Sequence, residues 1–202
     1  MTTTTRDPTL VCNTTPTRYF ALTSQVDLLA QVCGGSIRVP RLVLDPDDDE
    51  TDRPELQSEI GASERFWAKR ATGPEAVENW LRLGALRIRT DIVVIDMVIG
   101  ELERFAELVS RDTQERYGLA APLGKGEAAV IAIAESRDWI AVMDDREGLR
   151  VLQGLSPSTR SMTTTDLLRK AVYDQIIDTG EADVVYEQML DKGYWGPTSL
   201  WT

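Results

Sequence analysis

Short apolar runs alternate with helical segments along the chain, and the two patterns have different periods. Leu10–Cys12, Ser36–Val39 and Trp139–Met143 are mainly apolar and are bounded by polar or glycine-containing turns. Such runs are too short for helices and predict buried strands. The segment from Arg18 to Val32 has helical spacing, and Gly34-Gly35 is its stop signal. A strand, a helix and a strand in that order predict a right-handed crossover between parallel strands.

The middle of the chain is predicted to be largely helical. One helical pattern covers Glu55 to Leu83, and a second ends near Ser110. Between them, Leu86–Ile88 is a candidate strand, and Ile92–Ile95 is either another strand or the start of the second helix. Apolar residues at helical spacing are expected to anchor both helices in the core. These anchors are Phe66, Trp67, Val77, Trp80, Leu81, Val98, Leu102, Phe105 and Val109.

The clearest helix in the sequence runs from Gly126 to Arg137, and it is apolar almost all round, which is typical of a deeply packed helix. The elements predicted after the strand at 139–143 are a helix over Arg146–Leu155, a strand over Arg160–Thr163, and helices over Asp166–Ile177 and Glu181–Lys192. Together the elements predict an α/β fold of three layers, α/β/α, around a mainly parallel sheet. We expect one domain over 1–202, with a largely helical insertion at 45–121 and a C-terminal helical extension at 164–202.

Composition narrows the chemistry. The chain has 202 residues, no histidine, two cysteines and a formal net charge of −11. Without histidine there is no Ser–His or Cys–His nucleophile and no His-ligated zinc. Hydrolysis would therefore depend on carboxylates and a hard metal ion. The negative charge argues against nonspecific duplex binding, which needs a basic surface. Cys12 and Cys33 lie in apolar stretches and are expected to be buried free thiols.

No membrane-spanning or secretory segment is expected. No stretch approaches 18 consecutive apolar residues. Met1–Pro8 lacks the apolar region of a secretory signal and is expected to be a short disordered tail. Asp45–Pro54 is rich in acids and is expected to be a solvated loop. These features predict a cytoplasmic protein.

Polar side chains follow two of the predicted strands directly. Asn13 and Thr15 come after the first strand, and Asp144-Asp145 comes after the strand at 139–143. In open parallel sheets, sites form beyond the carboxyl ends of strands. Glu127 is a third candidate, because it is the first acid of the apolar helix. Each also has a structural explanation: Glu127 favours a helix N-terminus and Asp144-Asp145 can cap a helix. The order of the three elements favours the functional interpretation.

Seven segments of the chain carry a resemblance to a known family. They are Leu10–Pro16, Gln25–Leu29, Ile37–Pro40, Leu123–Ala134, Val142–Gly148, Asp166–Ala171 and Leu190–Tyr194. In these segments the chain resembles the PIN nuclease family, and more narrowly small prokaryotic PIN-like proteins related to toxin–antitoxin ribonucleases. The resemblance covers most of the chain outside about 45–121. Its most specific part is Gly-Glu-Ala at 126–128 followed by Asp-Asp-Arg at 144–146.

The resemblance implies a PIN-like fold and Mg²⁺- or Mn²⁺-dependent hydrolysis of RNA phosphodiesters by a toxin-like component. The implied catalytic residues are Asn13, Glu127, Asp144 and Asp145. Glu127 and Asp144 or Asp145 would hold the metal directly or through water, and Asn13 and Asp45 are further candidate ligands. The candidate substrate- or phosphate-binding residues are Thr15, Lys125, Arg146 and Arg150. The implied partners are RNA, an antitoxin-like protein and a second copy of the chain.

The chain departs from the family pattern at two positions. Asn13 stands where the family usually has an aspartate, and Pro46 stands near the usual acid after the second strand, where Asp45 or Asp47 is the nearest substitute. These departures favour a rival hypothesis, a catalytically weak or inactive PIN-like domain that binds RNA or a protein partner. A nucleotide- or small-ligand-binding α/β protein is a third, but no glycine fingerprint follows the first strand.

Arginines and tryptophans outside the acid positions have two interpretations each. Arg160, like Arg146 and Arg150, either holds phosphates or belongs to a scattered basic surface. Trp195 and Trp201 either stack on bases or dock the C-terminal tail on the domain.

Overall fold

The computed structural model describes residues 8–45, 58–70 and 73–201. Two expectations therefore lie outside the described residues: the disordered tail, apart from Pro8, and the acidic loop after Asp45, including Pro46 and Asp47.

Five strands and ten α-helices make up the described fold. The strands are β1 (Leu10–Cys12), β2 (Ile37–Pro40), β3 (Ile92–Ile95), β4 (Ile140–Val142) and β5 (Ser161–Met162). The helices are α1 (Thr14–Leu22), α2 (Val26–Val32), α3 (Glu59–Lys69), α4 (Pro74–Gly84), α5 (Ile99–Leu108), α6 (Arg111–Tyr117), α7 (Lys125–Arg137), α8 (Arg146–Leu155), α9 (Thr164–Tyr173) and α10 (Thr179–Asp191).

The strands form one parallel sheet in the order β3-β2-β1-β4-β5. The chain builds outward from β1 through β2 to β3 and then returns to place β4 on the other side of β1. The direction of winding therefore reverses between β1 and β4, and a crevice opens at their carboxyl ends. The predicted α/β fold with a parallel central sheet is confirmed.

Alternate residues of the central strands face two separate hydrophobic cores, as the pleat of a strand requires. Leu10 and Cys12 join a core formed with α1, α2, α9 and α10. Val11, between them, joins a second core with α5, α7 and α8. The sheet thus lies between two helical layers, and the three-layer α/β/α arrangement is confirmed. Helix α7 is buried from Ala128 to Ala134, as its uniformly apolar sequence predicts.

Three predicted elements have the wrong form. The helix predicted over 55–83 is two helices, α3 and α4. The helix predicted over 18–32 is two helices, because Ser24 adopts a left-handed backbone (φ +59°) and ends the first. The candidate strand at 86–88 is a 3₁₀ turn (Ala85–Ile88). Ile92–Ile95, which the sequence left open between strand and helix, is strand β3. The helical spacing of apolar residues does not reveal that one residue has a positive φ. A run of three apolar residues does not distinguish a strand from a tight turn.

Several predicted core anchors are exposed instead. Phe66, Val77, Trp80 and Leu81 are between 37% and 58% exposed, and Val98 and Leu102 are about half exposed. The helices α3 and α4 bury Ile60 and Leu83 in their place. Part of each predicted face therefore points to solvent, and apolar side chains are exposed on α3, on α4 and at the start of α5.

The segment 45–121 contains helices α3 to α6 and also strand β3, which pairs with β2 inside the central sheet. Cys12 and Cys33 are buried free thiols, as predicted. In the described ranges, no helix is both long enough and apolar enough to cross a membrane.

Candidate active site

Four helix N-termini converge at the crevice between β1 and β4. Asn13 precedes α1, Glu59 opens α3, Glu127 lies in the first turn of α7, and Asp145 precedes α8. The positive ends of helix dipoles favour carboxylates at such positions. We refer to Glu59, Glu127 and Asp145 as the acidic cluster.

Asn13 occupies an N-cap position but does not cap its helix. An N-cap asparagine normally accepts from a backbone N–H of the first turn, and here Pro16 removes one of those donors. The Asn13 amide nitrogen instead donates to Glu127 Oε1 at 2.7 Å. Its Oδ1 is fully buried and has no hydrogen-bond partner among the described residues. A buried acceptor without a donor is costly unless something else satisfies it.

Glu127 has a perturbed pKa. Burial raises the pKa of Glu127, and the nearby Glu59 carboxylate and, more weakly, Asp145 raise it further. The hydrogen bond from Asn13 opposes this shift. No arginine or lysine pairs with any member of the acidic cluster in the part of the chain that the structure describes. Negative charge therefore accumulates here without a side-chain counterion.

Glu59 is the site residue that the sequence analysis missed. Its Oε1 accepts from the Gly126 N–H at 2.9 Å, and its Oε2 accepts from the Thr14 hydroxyl. Glu59 thereby caps α7, whose own N-cap, Gly124, has no side chain. The available signal was an acid directly after the helix-capping Ser58, beyond the acidic loop rather than just after the second strand.

Gly126 keeps these groups together. A Cβ at Gly126 would lie 2.5 Å from Asn13 Oδ1 and closer than 3.0 Å to the Glu59 carboxylate. A Cβ at Gly148 would lie 3.3 Å from Glu127 Cγ and 3.4 Å from Asp145 Oδ1. Two glycines thus leave room for four oxygen-bearing side chains to approach one another.

Asp144 and Asp145 have different environments, although they are adjacent. Asp145 is exposed, and its Oδ1 caps α8 by accepting from Gly148 N–H at 2.6 Å. Asp144 accepts from the Thr164 N–H at 3.0 Å, the Thr164 hydroxyl at 2.5 Å and the Tyr194 hydroxyl at 2.7 Å. Both Asp144 oxygens are therefore engaged in holding α9 and the C-terminal segment, and burial beside Asp144 raises the pKa of Tyr194.

The crevice continues into an open cleft of about 420 Å³, lined by acidic, basic and aromatic side chains. Thr15, Arg18 and Arg146 line it together with Glu127 and both aspartates. The Arg146 guanidinium lies 4.7 Å from the centre of the Trp195 ring, and Trp195 is 77% exposed at the mouth. Of the predicted phosphate-binding residues, the structure brings Thr15 and Arg146 to the cleft, and it adds Arg18.

Other predicted site residues have different partners. Asp45 pairs with Arg41 at 2.7 Å, and Arg41 also pairs with Asp96. Arg150 donates to the Tyr117 carbonyl at 2.8 Å. Trp201 donates through its indole to Asp183, which favours docking of the tail on α10. Lys125 and Arg160 are exposed.

The donor set fits a hard, partly hydrated cation. In the described ranges, no three Asp, Glu or Cys side chains form a ready metal-binding group. Mg²⁺, however, usually keeps several waters and uses one or two carboxylates. The orphaned Asn13 Oδ1, the space at Gly126 and the uncompensated acidic cluster together offer oxygens and negative charge to such an ion.

Neither a set of models of known protein families nor a set of curated proteins contains a match to this chain.

Proposed function

We propose that this protein is a PIN-type, Mg²⁺- or Mn²⁺-dependent ribonuclease, a toxin-like component that acts in the cytoplasm. The observation that carries the proposal is the convergence of an orphaned buried acceptor, Asn13 Oδ1, with three carboxylates that have no cationic partner in the described chain. Carboxylates gathered without a cationic side chain, next to a buried amide oxygen without a donor, favour a bound cation. Their position beyond the carboxyl ends of β1 and β4 is where open parallel sheets bind ligands.

The residues suited to hold the ion are Asn13, through its amide oxygen, and Glu127 and Asp145 of the acidic cluster. Both oxygens of Glu59 already accept hydrogen bonds, so Glu59 contributes negative charge beside the ion. Asp145 is better placed than Asp144, because three hydrogen bonds already take up most of the acceptor capacity of the Asp144 carboxylate. When bound, the ion would supply an activated water and neutralise charge on the phosphate.

The chain's own groups bind and orient the substrate. Arg18 and Arg146, which line the same cleft as the acids, supply guanidinium groups for phosphate oxygens. The Thr15 hydroxyl, in the first turn of α1, orients a phosphate or water in this cleft. The exposed face of Trp195 offers a base-stacking surface above Arg146. Single-stranded RNA suits such a cleft better than a duplex, because stacking requires unpaired bases.

The test is cleavage of single-stranded RNA by purified protein with Mn²⁺. We expect cleavage by the parent, and loss of cleavage with retained folding in Glu127→Gln and Asp145→Asn, since both changes remove charge at nearly constant shape. Asp144→Asn should instead mainly lower the melting temperature, because it weakens charge-assisted bonds to Thr164 and Tyr194 worth about 1.5–3 kcal/mol each. Cleavage at the parental rate by both Glu127→Gln and Asp145→Asn would show that the site lies elsewhere.

One observation favours the second candidate, a PIN-like domain that binds RNA or a protein partner without cutting. The Asn13 amide already donates to Glu127, so part of the charge repulsion is relieved without metal. In that case RNA should bind equally well with and without Mn²⁺ and remain intact. An antitoxin-like protein or a second copy of the chain remains a proposed partner in either case.

A further inference from the structure

A second pocket lies beside the cleft and shares one wall with it. This pocket, of about 370 Å³, is formed where α1, α3 and the end of α10 meet. Its apolar surface comes from Leu22 and Ala62 and from three aromatic rings, Tyr19, Phe66 and Trp67. We refer to it as the aromatic pocket. Its size and mainly apolar lining are typical of small-ligand sites.

Arg18 and Tyr19 belong to both the cleft and the aromatic pocket. The Arg18 guanidinium lies 4.7 Å from the centre of the Tyr19 ring, and its Nη2 donates to the Tyr19 hydroxyl at 3.2 Å. Its Nε is buried and has no partner among the described residues. The Arg18 side chain lines both cavities, and guanidinium groups bind phosphate oxygens strongly. Arg18 is therefore positioned at the junction of the two cavities.

The far wall of the aromatic pocket presents a ring at the surface. Phe66 is 46% exposed, and it packs edge-on against Trp67 with ring centres 5.5 Å apart. The Arg70 guanidinium lies 3.7 Å from the centre of the Phe66 ring. Lys192 lines the same pocket. Aromatic rings beside basic groups form a pattern that binds single-stranded nucleic acid, in which bases stack and phosphates pair with cations.

From these contacts we infer that the aromatic pocket binds the base of a nucleotide that flanks the cleavage point in single-stranded RNA, with Arg18 bound to the intervening phosphate. The inference rests on the proposed function, because it takes the cleft as the place where RNA is cut. It commits to a nucleobase as the occupant on the basis of the continuity with the cleft, the aromatic walls and the basic groups at the rim.

The test measures binding without cleavage. A fluorescein-labelled, six-nucleotide single-stranded RNA is titrated with the full chain in EDTA and followed by anisotropy. Phe66→Ala should weaken binding by about tenfold, in the range found for loss of one base-stacking ring. The matched control is Trp80→Ala, which removes an aromatic ring of similar exposure (39%) on α4, outside both cavities. The control should bind RNA like the parent.

A set of hexanucleotides, each with one abasic residue, then locates the base. At one position the missing base should weaken binding to the parent but not to Phe66→Ala, because the variant has already lost the same interaction. That position should lie next to the bond cut with Mn²⁺. If the parent cuts RNA and Phe66→Ala binds every hexanucleotide like the parent, the aromatic pocket does not bind a base and the proposed function stands. If the parent neither binds nor cuts RNA, both ideas are wrong, and a protein partner becomes the better occupant.

Discussion

Mn²⁺ should stabilise the folded parent but not the Glu127→Gln variant. In the parent, the acidic cluster holds three carboxylates near the orphaned oxygen of Asn13, without a side-chain counterion in the described chain. An ion that binds this arrangement in the folded state, and not in the unfolded state, stabilises the folded protein by mass action. The free energy of unfolding rises by about 2.7 kcal/mol when the concentration of free ion is a hundredfold above its dissociation constant. For a domain of this size that corresponds to a rise in melting temperature of roughly 5–10 °C.

The same variant should also be more stable than the parent when no metal is present. The pKa of Glu127 is raised by burial and by Glu59, so the folded protein holds this proton more tightly than the unfolded chain does. At pH values below the ordinary pKa of a glutamate, Glu127 is protonated in both the folded and the unfolded state, so its burial costs no stability. As the pH rises from there through the folded-state pKa, the free energy of unfolding of the parent falls. The advantage of Glu127→Gln should therefore be larger at pH 8 than at pH 4.

The assay is thermal unfolding followed by circular dichroism, with EDTA or with increasing Mn²⁺, at both pH values. The matched control is Glu103→Gln, which removes one charge from an exposed acid of α5, a helix that contributes no residue to the cluster. It should respond to Mn²⁺ like the parent. Equal stabilisation of Glu127→Gln and the parent would place the ions elsewhere and refute the reasoning.

Three further predictions use other contacts. Asn13→Asp replaces the donor to Glu127 with a second buried carboxylate. It should therefore lower the melting temperature without metal and enlarge the rise in melting temperature caused by Mn²⁺. If that rise is unchanged, residue 13 lies outside the metal site. Gly126→Ala should abolish Mn²⁺-dependent cleavage, because its Cβ would displace the site oxygens, whereas Gly100→Ala, with no atom within 4 Å of the added Cβ, should cut normally. Glu101→Gln should lower the free energy of chemical unfolding by about 2 kcal/mol at pH 7, because an arginine of α7 pairs with Glu101 and lowers its pKa. The loss should shrink as the pH falls through that lowered pKa. A loss that does not depend on pH would refute the ion-pair explanation.

Strands β1, β2 and β4 were predictable because they are short, mainly apolar and bounded by turns. The same local pattern predicted α7, where every face is buried. The peripheral helices were less predictable, since α3 and α4 carry more apolar side chains than the core can cover. Trp80 and Leu81 fit a helical periodicity as well as Leu83 does, yet only Leu83 is buried. Which side of such a helix faces inward depends on its neighbours, and a single sequence does not encode this locally.

The candidate site was also predictable only in part from local sequence. Asn13 and Asp145 follow predicted strands, and the rule that sites form at the carboxyl ends of parallel strands made them candidates. Glu127 was a candidate as the first acid of an apolar helix. The rule could not separate Asp144 from Asp145, because the difference depends on Thr164 and Tyr194, which are 20 and 50 residues away.

Glu59 was missed for a related reason. The expected acid was sought just after β2, and Asp45 does lie there, but it pairs with Arg41. The chain instead returns to the crevice at the start of α3, 45 residues from Thr14 and 67 from Gly126, which Glu59 contacts. No spacing rule covers a contact of that range. The local feature was an acid directly after a serine that caps a helix, and that feature recurs wherever helices begin. What makes Glu59 part of the site is the missing side chain at Gly124 and Gly126, because a helix start without its own cap leaves both a free N–H and room for a carboxylate from elsewhere in the chain.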